Sequence, residues 1–553
     1  MTVSTLSTAP ETSVSGAVPN AEHPTLPTVV EGLASRELGG FVTPTAAVPS
    51  PLGLAELSRS TDLHAQAVAR AARPDFDAWL SHVKSASACT RPVRLAGTIA
   101  TVEAATGRLL AERSTADMPD GVIYKPCGNR RESVCPSCSK LYQRDAYQVV
   151  RAGLVGGKGV PEEVAHHPAV FPTFTAPSFG EVHTRVVKRH TCARRRDCDC
   201  RPEPCHARRD FAVCEHGVRL VCFARHDAAD ARLGSPLCLD CYDHAAQAVW
   251  NVSAGELWRR TTIAVNRYIR RVAKQRGIPY APTVSASGRV RMVPPVRLSF
   301  GKAAEMQQRG AVHFHAIVRL DGIDPADPTA IVPPPAGIDA TDLVDAIDHA
   351  ARTVGFTTEP HPLRPDGWRI GWGDQVLTKV VTVAAEGEVT DAQVANYLAK
   401  YATKSTEATG YTSARLDRGE LDTIRLYASP DGTHCERLAY AAWLLGKTAE
   451  WGRLRRWAHM LGFGGHFLTK SRRYSITFAL LRDNRVVFRR EQNSGPERSA
   501  GETAEPTTLV VNFLQFVGAG WRTNADAMLA NTSAALAREH QQAARQYLTA
   551  VAA

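Results

Sequence analysis

The sequence predicts a chain of mixed α-helices and β-strands, on three observations. Two runs rich in apolar residues, VRLSFGKAAEM and AVHFHAIVRLDG, flank the short polar turn Gln307-Gln308-Arg309-Gly310 and read as a hairpin of neighbouring strands. A long basic run with helical periodicity, residues 245–275, precedes the hairpin. A shorter helical run, DAQVANYLAKYATK at 391–404, follows it.

In chain order, residues 1–60 are rich in Pro, Thr, Ser, Ala and Val without amphipathic order, and are expected to form a disordered leader. Residues 61–120 form an N-terminal region that opens with helical pattern interrupted at Pro74. Residues 121–168 hold a cysteine knuckle and the amphipathic run LYQRDAYQVVRAGL, closed by glycines. AVFPTFT at 169–175 reads as a strand despite Pro172, within a segment taken to 189. A second cysteine-rich block spans 190–244. The long helix, the hairpin, a helix near 341–354, a strand at 376–383 and the 391–404 helix make up a unit at 245–410. Residues 411–553 are expected to be a mainly helical, basic, DNA-binding region ending in an Ala-rich helix at 524–550.

The 553 residues suffice for about two to four domains. A net charge of +11 suits a polyanionic partner, nucleic acid or an acidic membrane surface. No apolar run reaches the length of a membrane span, and the N-terminus lacks the basic and apolar regions of a signal peptide, so a cytoplasmic protein with no membrane partner is expected. In that compartment the 13 cysteines, mostly clustered between Cys127 and Cys241, favour metal ligation over disulfides.

Two motifs carry the chemistry. In Val312-His313-Phe314-His315-Ala316 the histidines point to one side of a strand, and Val312, Phe314 and Ala316 to the other. Two neutral imidazoles on one face can hold a divalent cation that polarises a phosphodiester oxygen. Glu305 on the preceding strand is the first candidate for a third ligand and Gln308 the second. In Tyr397-Leu398-Ala399-Lys400-Tyr401 the tyrosines share a helix face, with Lys400 and Lys404 beside them. A tyrosine that attacks a phosphodiester forms a phosphotyrosine and frees a 3′ hydroxyl, and lysines hold the phosphate. Each motif alone also fits a bland role, a solvated sheet face or a buried helix face; together they describe an enzyme that cuts one DNA strand and stays attached.

Among the cysteines, Cys127, Cys135 and Cys138 form one expected zinc set that needs a distant fourth ligand. A second is Cys214, Cys222, Cys238 and Cys241, with His216 and His226 nearby. Cys192, Cys198, Cys200 and Cys205 make a third cluster, while Cys89 and Cys435 read as ordinary lone cysteines. Paired arginines recur, among them Arg194–Arg196, Arg455-Arg456 and Arg472-Arg473. Arg309, Lys404, Arg472 and Arg473 are the expected DNA contacts. Trp250, Trp258, Trp451 and Trp457 lie near such pairs, as stacking platforms or as core.

PTFTAPSFG at 172–180, EMQQRGAVHFHAIVRL and VANYLAKYATK resemble, in order, the three motifs of the HUH endonuclease superfamily of rolling-circle replication initiators. CGNRRESVCPSC, PLCLDCYDHAAQAVWN, LWRRTTI and GFGGHFLTKSRRYS are similar to the RepSA-type initiators of actinobacterial plasmids and integrative conjugative elements. The resemblance covers roughly residues 120–480. It implies an α+β fold with a central antiparallel sheet, helices on one face, and a zinc-binding cysteine-rich insertion. It also implies a site-specific nickase with Mg²⁺ or Mn²⁺ on His313 and His315 and structural Zn²⁺ in the cysteine sets. Tyr397, Tyr401 or both would be nucleophiles. Origin DNA, duplex and single-stranded, and a host polymerase would be partners; with no G-x-x-x-x-G-K-[ST] loop in the chain, the helicase would come from the host too. A conjugative relaxase or transposase with the same chemistry, or a non-catalytic zinc-containing DNA-binding regulator, are the alternatives.

Overall fold

The computed structural model describes residues 63–187, 202–210, 212–284, 288–382, 389–404, 406–409, 432–493 and 508–552. The expected leader, Arg194–Arg196, Cys192, Cys198 and Cys200 lie outside the described residues.

The strands in chain order are β1 Val93–Glu103, β2 Leu109–Ser114, β3 Ile123–Lys125, β4 Ala169–Phe174, β5 Ala281–Val284, β6 Val290–Val293, β7 Val296–Met306 and β8 Val312–Gly322. They continue as β9 Gly355–Thr357, β10 Arg369–Gly371, β11 Val376–Thr382, β12 Val389–Thr390, β13 Leu468–Lys470 and β14 Thr508–Ala519. The main sheet has the order β12-β11-β4-β8-β7-β13. Every pairing in it is antiparallel except β11 with β12.

The histidine strand β8 is central, hydrogen-bonded to β4 on one side and β7 on the other. The β7–β8 hairpin closes on a tight turn in which the Gln307 amide donates to the Ala311 carbonyl at 2.9 Å. Gly310 takes φ +74° there, a conformation that favours glycine. Asn251 of the long helix braces the turn, donating to the Gly310 carbonyl at 2.9 Å and accepting from the Val312 amide at 3.0 Å.

Both faces of the sheet are covered, which corrects the expectation of helices on one face. Helices His244–Gln275 and Ala340–Thr353 bury Phe174, Val312, Phe314, Ala316 and Leu320 against Trp258 and Trp372. Helices Pro136–Val155 and Asp391–Tyr401 bury Phe171, Ala303 and Ile317 on the other side. The physical reason lies in β8 itself. Its residues are apolar on one side, and on the other Ile317 and His315 also need cover. At the far end of β8, Arg319 and Asp321 are fully buried as a bidentate pair at 2.7 and 2.9 Å, and Asp321 also accepts from Ser299 and pairs with His167. Burial of that pair is tolerated because its polar atoms have partners.

A second sheet contains β14-β1-β2, with β3 also on β1. β14 pairs with β1 from Val93↔Ala519 to Glu103↔Thr508. Trp79, Val83, Val122 and Tyr124 form its small core with Ala530 of the C-terminal helix Asn524–Ala552. The C-terminal segment, expected to be mainly helical, therefore contributes a 12-residue strand and folds with the N-terminal region. No helix among the described residues is long and apolar enough to cross a membrane.

Candidate active site and metal centres

Strand pairing brings the first residues of the site together. Glu305 lies opposite His313 in the β7–β8 register, and Thr173 of β4 lies opposite His315. His315 is 4% exposed; its Nε2 is 3.1 Å from Glu305 Oε2 and its Nδ1 is 3.2 Å from Thr173 Oγ1. The rings of His313 and His315 are 4.4 Å apart, centre to centre. Gln308, the second candidate ligand, sits exposed in the turn. Thr173 was not singled out from sequence, although it falls inside the 172–180 motif.

The helix Asp391–Tyr401 lies over the histidine face. Its N-terminus is fixed by a capping box of Thr390 and Gln393, which satisfies amides that the helix leaves unpaired. Arg151 of the adjacent helix pairs with Asp391 at 3.0 Å. Thus anchored, Tyr397 places its hydroxyl 3.2 Å from His315 Nε2. The Tyr401 ring stacks on the His315 ring at 5.5 Å, and the two tyrosine rings are 4.5 Å apart. Tyr401 and Glu305 are near enough to influence each other's protonation. Lys404 Nζ stands 5.1 Å from the centre of the Tyr401 ring, while Lys400 is exposed on the next turn.

Burial sets the protonation of these side chains. It holds His315 down to about 3 and His313 well below its ordinary value, so both imidazoles stay neutral. His313 Nδ1 is buried without a hydrogen-bond partner among the described residues. Burial pushes Glu305 up to about 7, opposed by His313 and the two lysines. It also raises both phenols. Two neutral imidazoles and a carboxylate are the right kinds of donor for a divalent cation. Unlike the three cysteine-containing clusters, these side chains do not stand close enough together to form a metal group as they are, and would have to draw in around an ion.

Arg309 is half-buried at the hairpin turn. Its guanidinium donates to the Ala176 and Pro177 carbonyls at 2.9 and 3.0 Å and to Gln307 Oε1 at 3.0 Å, clamping the hairpin turn to the end of β4. These contacts hold Arg309, one of the expected DNA contacts, within the fold. Arg472 is exposed and Arg473 half-buried, both lining a cleft with Ile331 and Ser475. They follow Ser471, whose hydroxyl accepts from the Phe300 amide, five residues along β7 from Glu305 and so roughly 17 Å from it.

The cysteines group differently from the sequence-based sets. Cys127, Cys135 and Cys138 are joined by Cys89, which had read as a lone cysteine. The Cys127–Cys138, Cys89–Cys135 and Cys89–Cys138 sulfur distances are 3.7, 3.8 and 3.8 Å. Disulfide sulfurs lie about 2.05 Å apart. Four thiolates at about 2.3 Å from a central zinc would have edges of about 3.8 Å. Cys222 is not with Cys214; it lies with His183, Cys205 and His226. There His226 Nε2 faces the cluster while its Nδ1 meets Asp230 at 2.7 Å, the outer carboxylate that orients ligating imidazoles. Cys214, Cys238 and Cys241 take His216 as fourth member. All three groups can hold a metal such as zinc. His216 and His226 were within reach of sequence reasoning, whereas Cys89 and His183 escaped it: Cys89 is 38 residues from Cys127, and no C-x-x-C spacing announces it.

A family model described as RepSA, "Replication initiator protein, pSAM2", matches residues 75–535. A "Replication initiator protein" of Streptomyces ambofaciens is 36% identical over 482 residues, 86% of this chain and 94% of the relative. No solved structure matches the chain. A match across both sheets, the tyrosine helix and all three cysteine-histidine groups leaves one conclusion: the chain belongs to the RepSA family of replication initiator proteins.

Proposed function

We propose that this initiator nicks one strand of its origin through a phosphotyrosine and so starts rolling-circle replication of a plasmid or integrative element. The observation that carries the reading is the convergence of His313, His315 and Glu305 with Tyr397 and Tyr401 on one covered sheet face. A central antiparallel histidine strand under a tyrosine helix is the arrangement expected of an HUH-type nuclease core.

His313, His315 and Glu305 would hold Mg²⁺ or Mn²⁺, which when bound polarises the phosphodiester and favours the phenolate. A tyrosine oxygen attacks phosphorus; the new bond forms to tyrosine, the bond to the 3′ oxygen breaks, and the strand's 5′ phosphate stays on the protein. The phenol loses one proton and the 3′ oxygen gains one. With Glu305 engaged as a ligand, the phenolic proton would pass to solvent as the phenolate forms. Lys400 and Lys404 neutralise the phosphate. With two hydroxyls in one site, one tyrosine can hold the 5′ end while the other cuts the regenerated origin.

The three cysteine-histidine groups would bind structural Zn²⁺ with no open position, and Arg472 and Arg473 would contact flanking DNA. Host helicase and polymerase would supply unwinding and extension. The test is incubation of the full chain with supercoiled origin DNA and Mn²⁺ or Mg²⁺. Metal-dependent nicking with protein on the 5′ end supports the reading, whereas binding without cleavage would make the protein a non-catalytic regulator.

A further inference from the structure

We infer that the cleft between the glycine-rich loop at 462–468 and the cysteine knuckle receives a single unpaired base of the strand that reaches the tyrosines; this rests on the nuclease reading above. The cleft encloses about 270 Å³, and its lining includes Arg130, Arg131, Tyr142, Trp457, Phe463 and His466. It is physically tied to the reacting groups. Arg130 donates to the carbonyls of Ala402 and Lys404 at 3.0 and 2.6 Å, just past Tyr401, and its guanidinium lies 4.1 Å over the Phe467 ring. The Phe467 carbonyl in turn accepts from the Ala304 amide at 2.7 Å, one residue before Glu305. One wall therefore connects to the strand that carries Glu305 and the other to the helix that carries Tyr401.

The chemistry of the cleft suits a base with its phosphate. Of the four tryptophans near arginine pairs, Trp250, Trp258 and Trp451 are buried in the core, but Trp457 is half-buried and lines the cleft. Two glycines let the loop pack closely on one side of the Trp457 and Phe463 rings. A Cβ on Gly464 would lie 2.5 Å from the Trp457 ring, and one on Gly465 would lie 2.6 Å from the Phe463 ring. The loop backbone thus lies against both rings and adds no side chain to fill the space. At the mouth, exposed His466 offers a ring nitrogen, and half-buried Arg131 lends positive charge near a phosphodiester. Aromatic walls with cationic edges accept the flat face of any base and the charge beside it, and a cleft this small excludes a duplex.

The experiment uses the full-length protein and a ten-residue oligothymidylate carrying one central 2-aminopurine, whose fluorescence falls when it stacks. The wild type should quench it. Trp457→Leu and the surface change His466→Ala should each weaken binding about tenfold, equivalent to ~1.4 kcal/mol. Tyr397→Phe/Tyr401→Phe should retain the quench while losing the covalent adduct on origin DNA. Absence of quenching, or unchanged binding by both cleft variants, overturns the subsite and leaves wild-type adduct formation standing. Quenching by a wild type that forms no adduct on any origin strand removes the nuclease reading, and with it the placement of this base beside a scissile phosphate.

Discussion

His315 is the residue on which the candidate site turns. Thr173 holds one ring nitrogen, Glu305 and Tyr397 meet the other, and Phe171 and Tyr401 stack against the ring. Tyr397→Phe and Tyr401→Phe remove one hydroxyl each and leave the packing. Each single change should lower adduct formation, and the double change should abolish it, read as protein-linked DNA on a denaturing gel. Adduct from the double variant would sink the tyrosine assignment. Lys302, on the opposite face of β7, offers an independent check of burial. Its ammonium lies 3.6 Å from the Phe314 ring centre, and burial lowers its pKa to about 7. An unfolded lysine keeps its proton to about 10.4, so between these values the unfolded chain binds more protons and stability rises with pH. The penalty is complete below pH 7 and absent above about 10.4. An enclosed cation–π contact returns roughly 2 kcal/mol of it. Lys302→Met should therefore stabilise the protein by on the order of 3 kcal/mol at pH 7 and by little near pH 10, measured as the shift in urea midpoint.

At the scale of elements, much was legible. The β7–β8 hairpin, the long helix and the tyrosine helix follow from local periodicity, turn residues and caps, all readable within a short window. The metal groups were only half legible, because each draws members from separate segments. Cys89 follows the short helix Phe76–Val83, and Cys127 is held against it by an amide–sulfur contact of 3.3 Å. A metal there would fasten the N-terminal helices to the helix Pro136–Val155 that supports the tyrosines. Metal analysis of the purified chain should find about three zinc ions, one for each group among the described residues. Cys89→Ser should lower the content to two and lower the melting temperature, while Cys435→Ser should leave both unchanged. Equal zinc in Cys89→Ser and wild type would refute the four-thiolate site.

For the whole molecule, the long pairing of β1 with β14 joins residues near the two ends of the described chain. The alternating pattern of VRLAGTIATVE is weak on its own, and its partner lies some four hundred residues away, so no local reading could pair them. A chain ending at residue 507 would leave β1 without its longest neighbour and the Trp79 core without Ala530 and Trp521. Such a truncation should expose an unpaired edge, aggregate on expression and lose protection from proteolysis in residues 63–125, whereas the main sheet should keep its protected core. Retained solubility and protection would mean that the second sheet is dispensable.

By itself the sequence determined the chemistry offered by each segment: two imidazoles on one strand face, two phenols on one helix face, and thiols in knuckles. Those follow from side-chain period, which is a local property. Only the tertiary structure decided which offers meet. It set Glu305 opposite His313, gave His315 to Thr173, moved Cys222 away from Cys214, brought in Cys89, and turned Arg309 inward. Such meetings depend on register and packing between segments far apart in the chain, and no periodicity within one segment encodes them.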